Sequence, residues 1–373
     1  MRIAFFLSTS GHSGVDRVAR NLIPALARRG YAVDLIRVRR HGPYLDLPID
    51  GVRAIDSGSS STYGAIPALI RYLRRCRPAV LFSDKDRVNR SALFARWCAR
   101  TPEVRLVFRY GSTVSTDTAH RGGFERWLQR LSMGRGYRRA YRVLVPGAGV
   151  AEDMSRWSGL PRAQIEVVPT PLVPASLLTT LPPPPAHPWF ASGAPPVILG
   201  VGELSARKDF ATLIRAFAGL RSRRELRLMI LGEGRERAAL LALATELGVA
   251  EDLELPGFVA NPYAYMAHAA AVALTSRWEG LPAVLVEALA VGTPVVATRT
   301  PGACELLREG EYGALCAFGD DAAVAQALQA CLDVPRDRER LRARVRANEV
   351  EASADAHLRA MGLPLQVGGA PGR

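Results

Sequence analysis

The sequence predicts an α/β protein in which two doubly wound, Rossmann-like domains face each other across a cleft. The first half alternates short apolar runs with amphipathic helical stretches, a proline-rich stretch interrupts the chain, and the alternation then begins again. A chain of 373 residues is also too long for one compact core. We therefore expect domains at residues 1–180 and 197–347, a linker at 181–196 and a frayed tail at 348–373.

Short apolar runs mark the strands of the first half. They are apolar on both faces, as expected for parallel strands buried between layers of helices. The predicted strands are residues 2–8, 31–38, 79–83, 104–109, 142–146 and 165–168. Amphipathic stretches lie between them, such as residues 15–30, where the helix should end at Gly30.

The proline-rich stretch "LPPPPAHPWFASGAPP" contains four successive prolines, which fit neither a helix interior nor a sheet interior, and therefore predicts a linker. After it, "PVILGVG", "LRLMILGEG", "AAVALTS" and "PVVATR" read as strands separated by helices. In doubly wound sheets, ligands bind at the loops that follow the carboxyl ends of the strands. Those loops are where functional residues are expected.

The excess of positive charge is confined to the first half of the chain. Residues 1–185 hold 29 Lys and Arg against 13 Asp and Glu, whereas residues 186–373 hold 20 against 22. This asymmetry indicates an anionic partner for the first half: a nucleic acid, an acidic substrate or a membrane surface. No apolar run reaches the ~18 residues of a membrane span. The five cysteines form no CxxC pair, so neither a zinc site nor a disulfide framework is expected.

Two adjacent cations follow the first strand of the second half. "PVILGVG" leads into "ELSARKDF", which places Arg207 and Lys208 in a loop at the carboxyl end of that strand. A guanidinium fork beside an ammonium suits a diphosphate. On these residues alone, a solvated basic turn before a helix explains the pair equally well.

The stretch "SRWEGLPAVLVEALAVG" contains two glutamates in an almost wholly apolar context. Glu279 lies in the loop before a helix that has Pro282 in its first turn and closes at Gly292, and Gly280 allows backbone amides to approach a ligand. Glu287 lies inside the helix between apolar residues, so a surface position is the weaker interpretation. A carboxylate there can accept hydrogen bonds from a vicinal diol such as ribose, and the free amides at the helix start can bind an anion.

Four blocks in the second half resemble, in this order, the retaining GT-B glycosyltransferases of family 4. The blocks are "GELSARKDF", "LPGFVANPYAYM", "EGLPAVLVE" and "GTPVVATRTPGACELL", and the resemblance covers nearly all of residues 196–332. It implies a GT-B fold and a transferase (EC 2.4) that moves a sugar from a nucleotide-sugar donor to an acceptor. UDP is the commonest base in that family.

The resemblance implies a role for each matching residue. Glu279 corresponds to the glutamate that contacts the donor sugar near the reacting centre, and Glu287 to the one that binds ribose. The basic pair would neutralise the diphosphate, and the segment after "GF" would pack on the base. The implied catalytic residue is Glu279, and the implied donor-binding residues are Gly14, Arg207, Lys208, Phe258, Val259, Gly280, Leu281 and Glu287.

The N-terminal half resembles the family less closely. "GHSGVDRVARNLIPALARRG" is similar to the family's glycine-rich opening, in which Gly11 and Gly14 would let the loop approach phosphate and acceptor. The family's histidine near the fourth strand is absent, and "FRYGSTVST" stands in that region. His12, Arg109 and Tyr110 are the candidate acceptor residues in its place.

Two further departures concern the donor side. Glu203 stands where the family often has an arginine, which leaves Arg207 with more of the phosphate charge, and Ala283 stands where asparagine is usual. Asp84 and Asp86 form a D-x-D arrangement like that of metal-dependent GT-A enzymes, but a charged turn after a strand explains it as well. By resemblance, transfer should retain the anomeric configuration and need neither a metal nor another cofactor.

The arginine-rich segment 122–145 carries an i, i+3, i+4, i+7 apolar stripe, which consists of Phe124, Trp127, Leu128 and Leu131. Such a helix is typical of a membrane interface, but a stripe packed on the sheet with arginines outside explains the pattern equally well. The charge asymmetry favours contact of residues 71–78 and 121–142 with an anionic membrane. We then expect a cytoplasmic protein peripheral to the inner face of the cytoplasmic membrane.

The expected partners are a nucleotide sugar and a glycan or lipid-linked acceptor in bacterial cell-surface polysaccharide or lipopolysaccharide synthesis. One alternative keeps the fold but changes the reaction to a nucleotide-sugar epimerase or hydrolase. The other is a nucleic-acid-binding protein, which the basic half suggests. The sequence contains no recognisable DNA- or RNA-reading motif, and this alternative leaves the two glutamates unexplained.

Overall fold

The computed structural model describes residues 1–9, 14–38, 42–45, 47–119 and 122–365, and the chain divides into two compact units. Unit 1 comprises Met1–Leu172 and Asn348–Arg373, and unit 2 comprises Val173–Ala347. Each unit is built on one sheet whose neighbouring strands are all parallel.

The sheet of unit 1 has the strand order β3-β2-β1-β4-β5-β6-β7. Its strands are β1 Arg2–Leu7, β2 Ala32–Arg37, β3 Val52–Asp56, β4 Val80–Asp84, β5 Arg105–Arg109, β6 Arg142–Val145 and β7 Ile165–Val167. Alternate residues of β1 belong to different clusters of buried side chains, Ile3 and Phe5 to one and Ala4 and Phe6 to the other. Both faces of this sheet are therefore buried, as the apolar strand pattern predicts.

Helices cover both faces of this sheet. They are α1 Gly14–Arg28, α2 Ile66–Cys76, α3 Asp86–Ala99, α4 Val114–Thr118, α5 Gly123–Leu131, α6 Ala148–Ser158 and α15 Val350–Ala360. A π-helical turn, Ser132–Gly136, and a 3-10 turn, Tyr137–Arg139, continue directly from α5. Residues 123–139 therefore form one unbroken helical segment.

The expectation of a frayed C-terminal tail is wrong for residues 350–360, which form α15. Glu349 caps this helix by accepting hydrogen bonds from the next amides, and Leu358 is buried in the cluster that contains Leu22 of α1. Arg29 of α1 donates to Asp355 at 2.8 Å and also pairs with Glu351. Helix α15 thus covers one face of the unit 1 sheet.

The sheet of unit 2 has the strand order β10-β9-β8-β11-β12-β13. Its strands are β8 Val197–Val201, β9 Arg227–Leu231, β10 Leu253–Gly257, β11 Ala271–Leu274, β12 Val295–Thr298 and β13 Ala314–Cys316. Its helices are α7 Ala175–Thr179, α8 Phe210–Arg221, α9 Arg237–Glu246, α10 Tyr263–His268, α11 Ala283–Ala290, α12 Pro301–Leu307, α13 Asp321–Asp333 and α14 Arg338–Arg344. Among the described residues, no helix has the length and apolar character needed to cross a bilayer.

Three strands of the structure are absent from the sequence-based prediction, and all three lie at the edges of the sheets. They are β3 in unit 1 and β10 and β13 in unit 2. Edge strands are short and tolerate charges and proline, which obscures the apolar signal. Accordingly β3 contains Arg53 and Asp56, and β10 contains Glu254 and Pro256.

Part of the predicted linker packs on unit 2. Pro188–Phe190 form a 3-10 turn, and Nε2 of His187 lies 2.9 Å from a carboxylate oxygen of Glu254. The guanidinium of Arg227 stacks over the ring of Trp189 at 5.5 Å. These contacts hold the second half of the proline-rich stretch on the edge of the unit 2 sheet that carries β10.

We predict that His357 makes unit 1 sensitive to acid. Its side chain is buried, and burial lowers its pKa from 6.5 to about 4, so the folded protein holds it neutral. The unfolded chain binds a proton below pH 6.5, and stability is therefore lost as the pH falls from 6.5 towards 4, by about 3 kcal/mol from this group.

Urea denaturation between pH 7.5 and 4 measures the effect. The free energy of unfolding of His357→Leu should fall less steeply with pH than that of the wild type. His268→Leu removes an exposed histidine and should keep the wild-type slope. Equal slopes for His357→Leu and wild type would contradict the prediction.

Candidate functional site

The candidate site lies where the strand order of the unit 2 sheet reverses. The first strand, β8, lies between β9 and β11, and it pairs with β11 in parallel from Ile198 and Ala271 onward. The loops after β8 and β11 therefore lie side by side at the carboxyl-terminal ends of these strands. Doubly wound sheets bind ligands at this switch point.

The two loops meet at the carboxylate of Glu279. Its Oε1 atom accepts hydrogen bonds from Arg207 Nη1 at 3.0 Å, from Lys208 Nζ at 2.6 Å and from Ser276 Oγ at 3.0 Å. Oε2 makes no hydrogen bond to any described residue. We call these four residues the Glu279 cluster.

The electrostatics of this cluster combine burial with close pairing of opposite charges. The Lys208 ammonium is buried and burial lowers its pKa, an effect that the Glu279 carboxylate opposes and the Arg207 guanidinium reinforces. Arg207 is about one-third exposed. Two cations of the cluster share one carboxylate, and the nearby Glu203 carboxylate also opposes the lowering of the Lys208 pKa. The most accessible part of the cluster is the Arg207 guanidinium.

Backbone contacts hold the two loops together. Thr275 Oγ1 donates to the Lys208 carbonyl at 3.1 Å, and the Arg277 amide donates to the Arg207 carbonyl at 2.8 Å. The Lys208 side chain passes over Gly202, where a Cβ atom would lie 2.9 Å from Lys208 Cε. A larger residue at position 202 would therefore force the Lys208 side chain to shift.

Helix α11 begins immediately after the cluster. Pro282 precedes its first residue and no side chain caps it. The Leu285 amide donates to the Pro282 carbonyl at 2.9 Å, so the amides of Ala283 and Val284 are the ones available to an acceptor. The loop approaches α12 closely, because a Cβ atom on Gly302 would lie 2.1 Å from the Gly280 carbonyl oxygen. Gly280 and Leu281 are partly exposed there. The sequence singled out neither Ser276, Gly202 nor Gly302, since their roles depend on which loops become neighbours.

Glu287 is buried in α11, with 1% of its surface exposed. Its neighbours Val286 and Ala288 are also buried. The prediction that it is not a surface glutamate is confirmed.

Phe258 and Val259 lie elsewhere on the same edge of the sheet, directly after β10. Phe258 is 71% exposed, and Gly257 before it has a φ of +93°, a left-handed conformation that favours glycine. The glycine turns the chain so that the phenylalanine points outward. This leaves an exposed aromatic ring two strands away from β8.

The candidate residues of unit 1 fall into two groups. His12 and Gly11 lie outside the described residues, while Gly14 begins α1 with open space around its Cα. Arg109 and Tyr110 lie at the end of β5, and both are buried. Their roles in acceptor binding stay predictions.

The D-x-D residues are engaged in ion pairs and hydrogen bonds within unit 1. Arg109 Nη1 lies 2.6 Å from an oxygen of Asp84, and Tyr137 donates to Asp86 at 3.0 Å. Arg90 Nε lies 3.0 Å from the other oxygen of Asp86. Across the described ranges, no group of three or more His, Cys, Asp and Glu side chains is arranged to hold a metal ion.

Comparisons with known proteins extend over nearly the whole chain. The model of the family described as glycosyl transferases group 1 matches residues 188–348, and that of the glycosyl transferase 4-like domain matches residues 13–171. The chain is 29% identical over 346 residues to N-acetylgalactosamine-N,N'-diacetylbacillosaminyl-diphospho-undecaprenol 4-alpha-N-acetylgalactosaminyltransferase of Campylobacter jejuni, which covers 89% of this chain and 90% of that protein.

A shorter sequence match and a solved structure also relate this chain to glycosyltransferases. A lipopolysaccharide core biosynthesis glycosyltransferase of Rhizobium meliloti is 37% identical over 134 residues, or 36% of this chain and 38% of that one. The crystal structure of HepE of Anabaena in complex with UDP superposes with a TM-score of 0.78, 18% identity and coverage of 97% and 100%. At 18% identity, this structural similarity is evidence for a shared fold only.

We predict that Glu279 and Lys208 are strongly coupled. Glu279→Gln leaves a buried ammonium beside a guanidinium, and Lys208→Met leaves a buried carboxylate with one cation fewer, so each should lower the free energy of unfolding by about 3–5 kcal/mol. The double variant should cost about 1–3 kcal/mol less than the sum of the single costs.

A double-mutant cycle by urea denaturation measures this coupling. The exposed pair of Arg224 and Asp333, whose charged atoms lie 3.0 Å apart, is the matched control and should show a coupling below about 1 kcal/mol. Additive costs at Glu279 and Lys208 would contradict the ion pair.

Proposed function

Because the chain belongs to the family of glycosyl transferases group 1 and has the GT-B fold, we propose that it transfers a sugar from a UDP-sugar to a glycan or lipid-linked acceptor with retention of the anomeric configuration. The Glu279 cluster beside the start of α11 is the observation that carries this proposal. It combines a partly exposed guanidinium, a buried ammonium and free helix amides at a switch point, and these groups suit a diphosphate.

In this mechanism the bond between the anomeric carbon and the β-phosphate oxygen breaks, and negative charge develops on the departing diphosphate. Arg207, Lys208 and the first amides of α11 stabilise that charge in a partly buried site, where such interactions are strongest. The acceptor oxygen bonds to the anomeric carbon from the same face, and its proton passes to the leaving phosphate oxygen. We propose that these groups make a metal unnecessary, and equal transfer rates in EDTA and in Mg²⁺ test this.

Each remaining donor residue has a proposed task. Glu279 anchors the two cations through Oε1, which leaves Oε2 to accept a hydroxyl of the donor sugar. Glu287 binds the ribose diol, and Phe258 with Val259 packs against the base. Support comes from the burial of Glu287 inside α11 and from the exposed ring that follows β10.

The acceptor class is proposed from the relatives. The Campylobacter protein is named for a diphospho-undecaprenol substrate and the Rhizobium protein for lipopolysaccharide core biosynthesis. We place this chain in bacterial cell-surface polysaccharide synthesis, peripheral to the inner face of the cytoplasmic membrane. The excess of positive charge in residues 1–185 supports an anionic, lipid-linked acceptor that binds to this part of the chain.

We predict that UDP raises the thermal stability of the wild type more than GDP or ADP does. A ligand at about 100 times its Kd stabilises the folded state by about 2.7 kcal/mol, which shifts Tm measurably. Glu287→Gln, compared with its own ligand-free Tm, should lose most of that shift, because a neutral amide accepts the ribose hydroxyls more weakly.

Glu246→Gln is the matched control, since it changes an exposed glutamate at the end of another unit 2 helix and should keep the full shift. No shift with any nucleotide would contradict the donor site. Turnover of a UDP-sugar at an undiminished rate without acceptor would favour an epimerase or hydrolase over a transferase.

A further inference from the structure

Unit 1 exposes large aromatic side chains on α3 and α5. Trp97 of α3 is 74% exposed and Phe94, one turn earlier, is half exposed, with their ring centroids 5.9 Å apart. On α5, Phe124 is 76% exposed and stacks with the exposed Trp127, also at 5.9 Å. Exposed aromatic residues that occur in pairs differ from the scattered surface hydrophobics of ordinary proteins.

The two helices are linked by a groove. It has a volume of about 1060 Å³ and lies between α3 and residues 132–139, which continue from α5. Among its lining residues are Arg90, Phe94, Trp97, Arg100 and Arg139. On the other side of the same helical segment, a second groove of about 420 Å³ contains Trp127 with Arg130, Arg135 and Arg138. Each groove thus has aromatic and guanidinium walls together.

Helix α5 exposes aromatic side chains and buries a polar one, the reverse of what packing against a hydrophobic core favours. Its aromatic residues Phe124 and Trp127 are exposed, whereas Gln129 is buried with neither side-chain amide atom hydrogen-bonded. An unsatisfied buried polar group costs about 1–3 kcal/mol. Conflicts of this kind between local chemistry and burial are expected at functional surfaces. The interpretation in which the whole stripe packs on the sheet is therefore wrong for Phe124 and Trp127.

The charge of this surface is not neutralised by unit 1 itself. Within the described part of the chain, these arginines form no ion pair with an acidic residue: Arg100, Arg130, Arg135, Arg138 and Arg139. Arginines left without carboxylates next to exposed tryptophans complement an anionic surface with an apolar interior. A second copy of the chain would bring the same positive charge and would be repelled.

We propose that α3 and residues 123–139 dock on an anionic phospholipid bilayer, with Trp97 and Trp127 in the interface and the surrounding arginines on lipid phosphates. The proposal rests on the proposed function only in that a lipid-linked acceptor requires such a bilayer. In this proposal α3 and residues 123–139 form the main contact with the membrane, and residues 71–78 do not. The exposed part of α2 presents Arg71, Arg74 and Arg75 but no exposed large hydrophobic side chain.

Co-sedimentation of the full chain with vesicles tests the proposal. Wild type should bind vesicles of phosphatidylcholine with 30% phosphatidylglycerol at least tenfold more tightly than pure phosphatidylcholine vesicles, and less tightly in high salt. Trp97→Ala combined with Trp127→Ala should weaken binding to the anionic vesicles at least tenfold. Phe318→Ala, which removes a half-exposed aromatic residue of unit 2, should not.

Two charge variants distinguish the surfaces of unit 1. Arg135→Gln combined with Arg139→Gln should weaken vesicle binding severalfold, and Arg74→Gln combined with Arg75→Gln should change it less than twofold. Full binding by the tryptophan variant, or loss of binding through the α2 variant alone, would overturn the proposal. So would binding of wild type to DNA duplexes that is tighter than its binding to anionic vesicles.

The donor site supplies an independent readout for every variant. Each unit 1 variant should keep its ligand-free Tm and its UDP-induced shift, because its substitutions change no residue of the Glu279 cluster or of unit 2. A normal UDP shift without vesicle binding would overturn the bilayer proposal alone. Normal vesicle binding without any UDP shift would overturn the donor proposal alone.

Discussion

The sharing of one largely buried carboxylate, that of Glu279, by two adjacent cations is the constraint on which the site in unit 2 depends. Lys208 can be buried because Glu279 compensates its charge, and Arg207 is fixed by the same oxygen. That contact joins the loop after β8 to the loop after β11 and so sets where α11 begins. The positions of the helix amides and of Glu287 follow from it. A single ion cluster therefore aligns the groups proposed to hold the diphosphate and the ribose, whereas Phe258 and Val259 are placed separately by β10.

The two units use charge in opposite ways. In unit 2 the important charges are buried and compensated, which favours precise geometry. In unit 1 a set of exposed arginines has no acidic partner among the described residues, which favours adhesion to a broad anionic surface; the set is Arg100, Arg130, Arg135, Arg138 and Arg139. The buried, unsatisfied Gln129 and the exposed Trp127 show that unit 1 departs there from the arrangement that its own stability would select.

The GT-B fold class and the central strands could be predicted from the sequence, because buried parallel strands are apolar on both faces. Edge strands such as β3 were missed because they carry charges, and α15 was missed because its buried face is mostly small and includes His357. The burial of Glu287 followed from its neighbours. The contact of Glu279 with Lys208 did not, since it depends on β8 and β11 becoming neighbours across about 70 residues of chain.

The central claim is that the Glu279 cluster holds the diphosphate of a nucleotide sugar, and a crystal structure of the chain with UDP-glucose or another UDP-sugar tests it most directly. The account predicts phosphate oxygens within hydrogen-bond distance of Arg207, Lys208 and the first amides of α11, with the ribose hydroxyls on Glu287. A nucleotide bound with its diphosphate away from Arg207 and Lys208, or with its ribose away from Glu287, would contradict it.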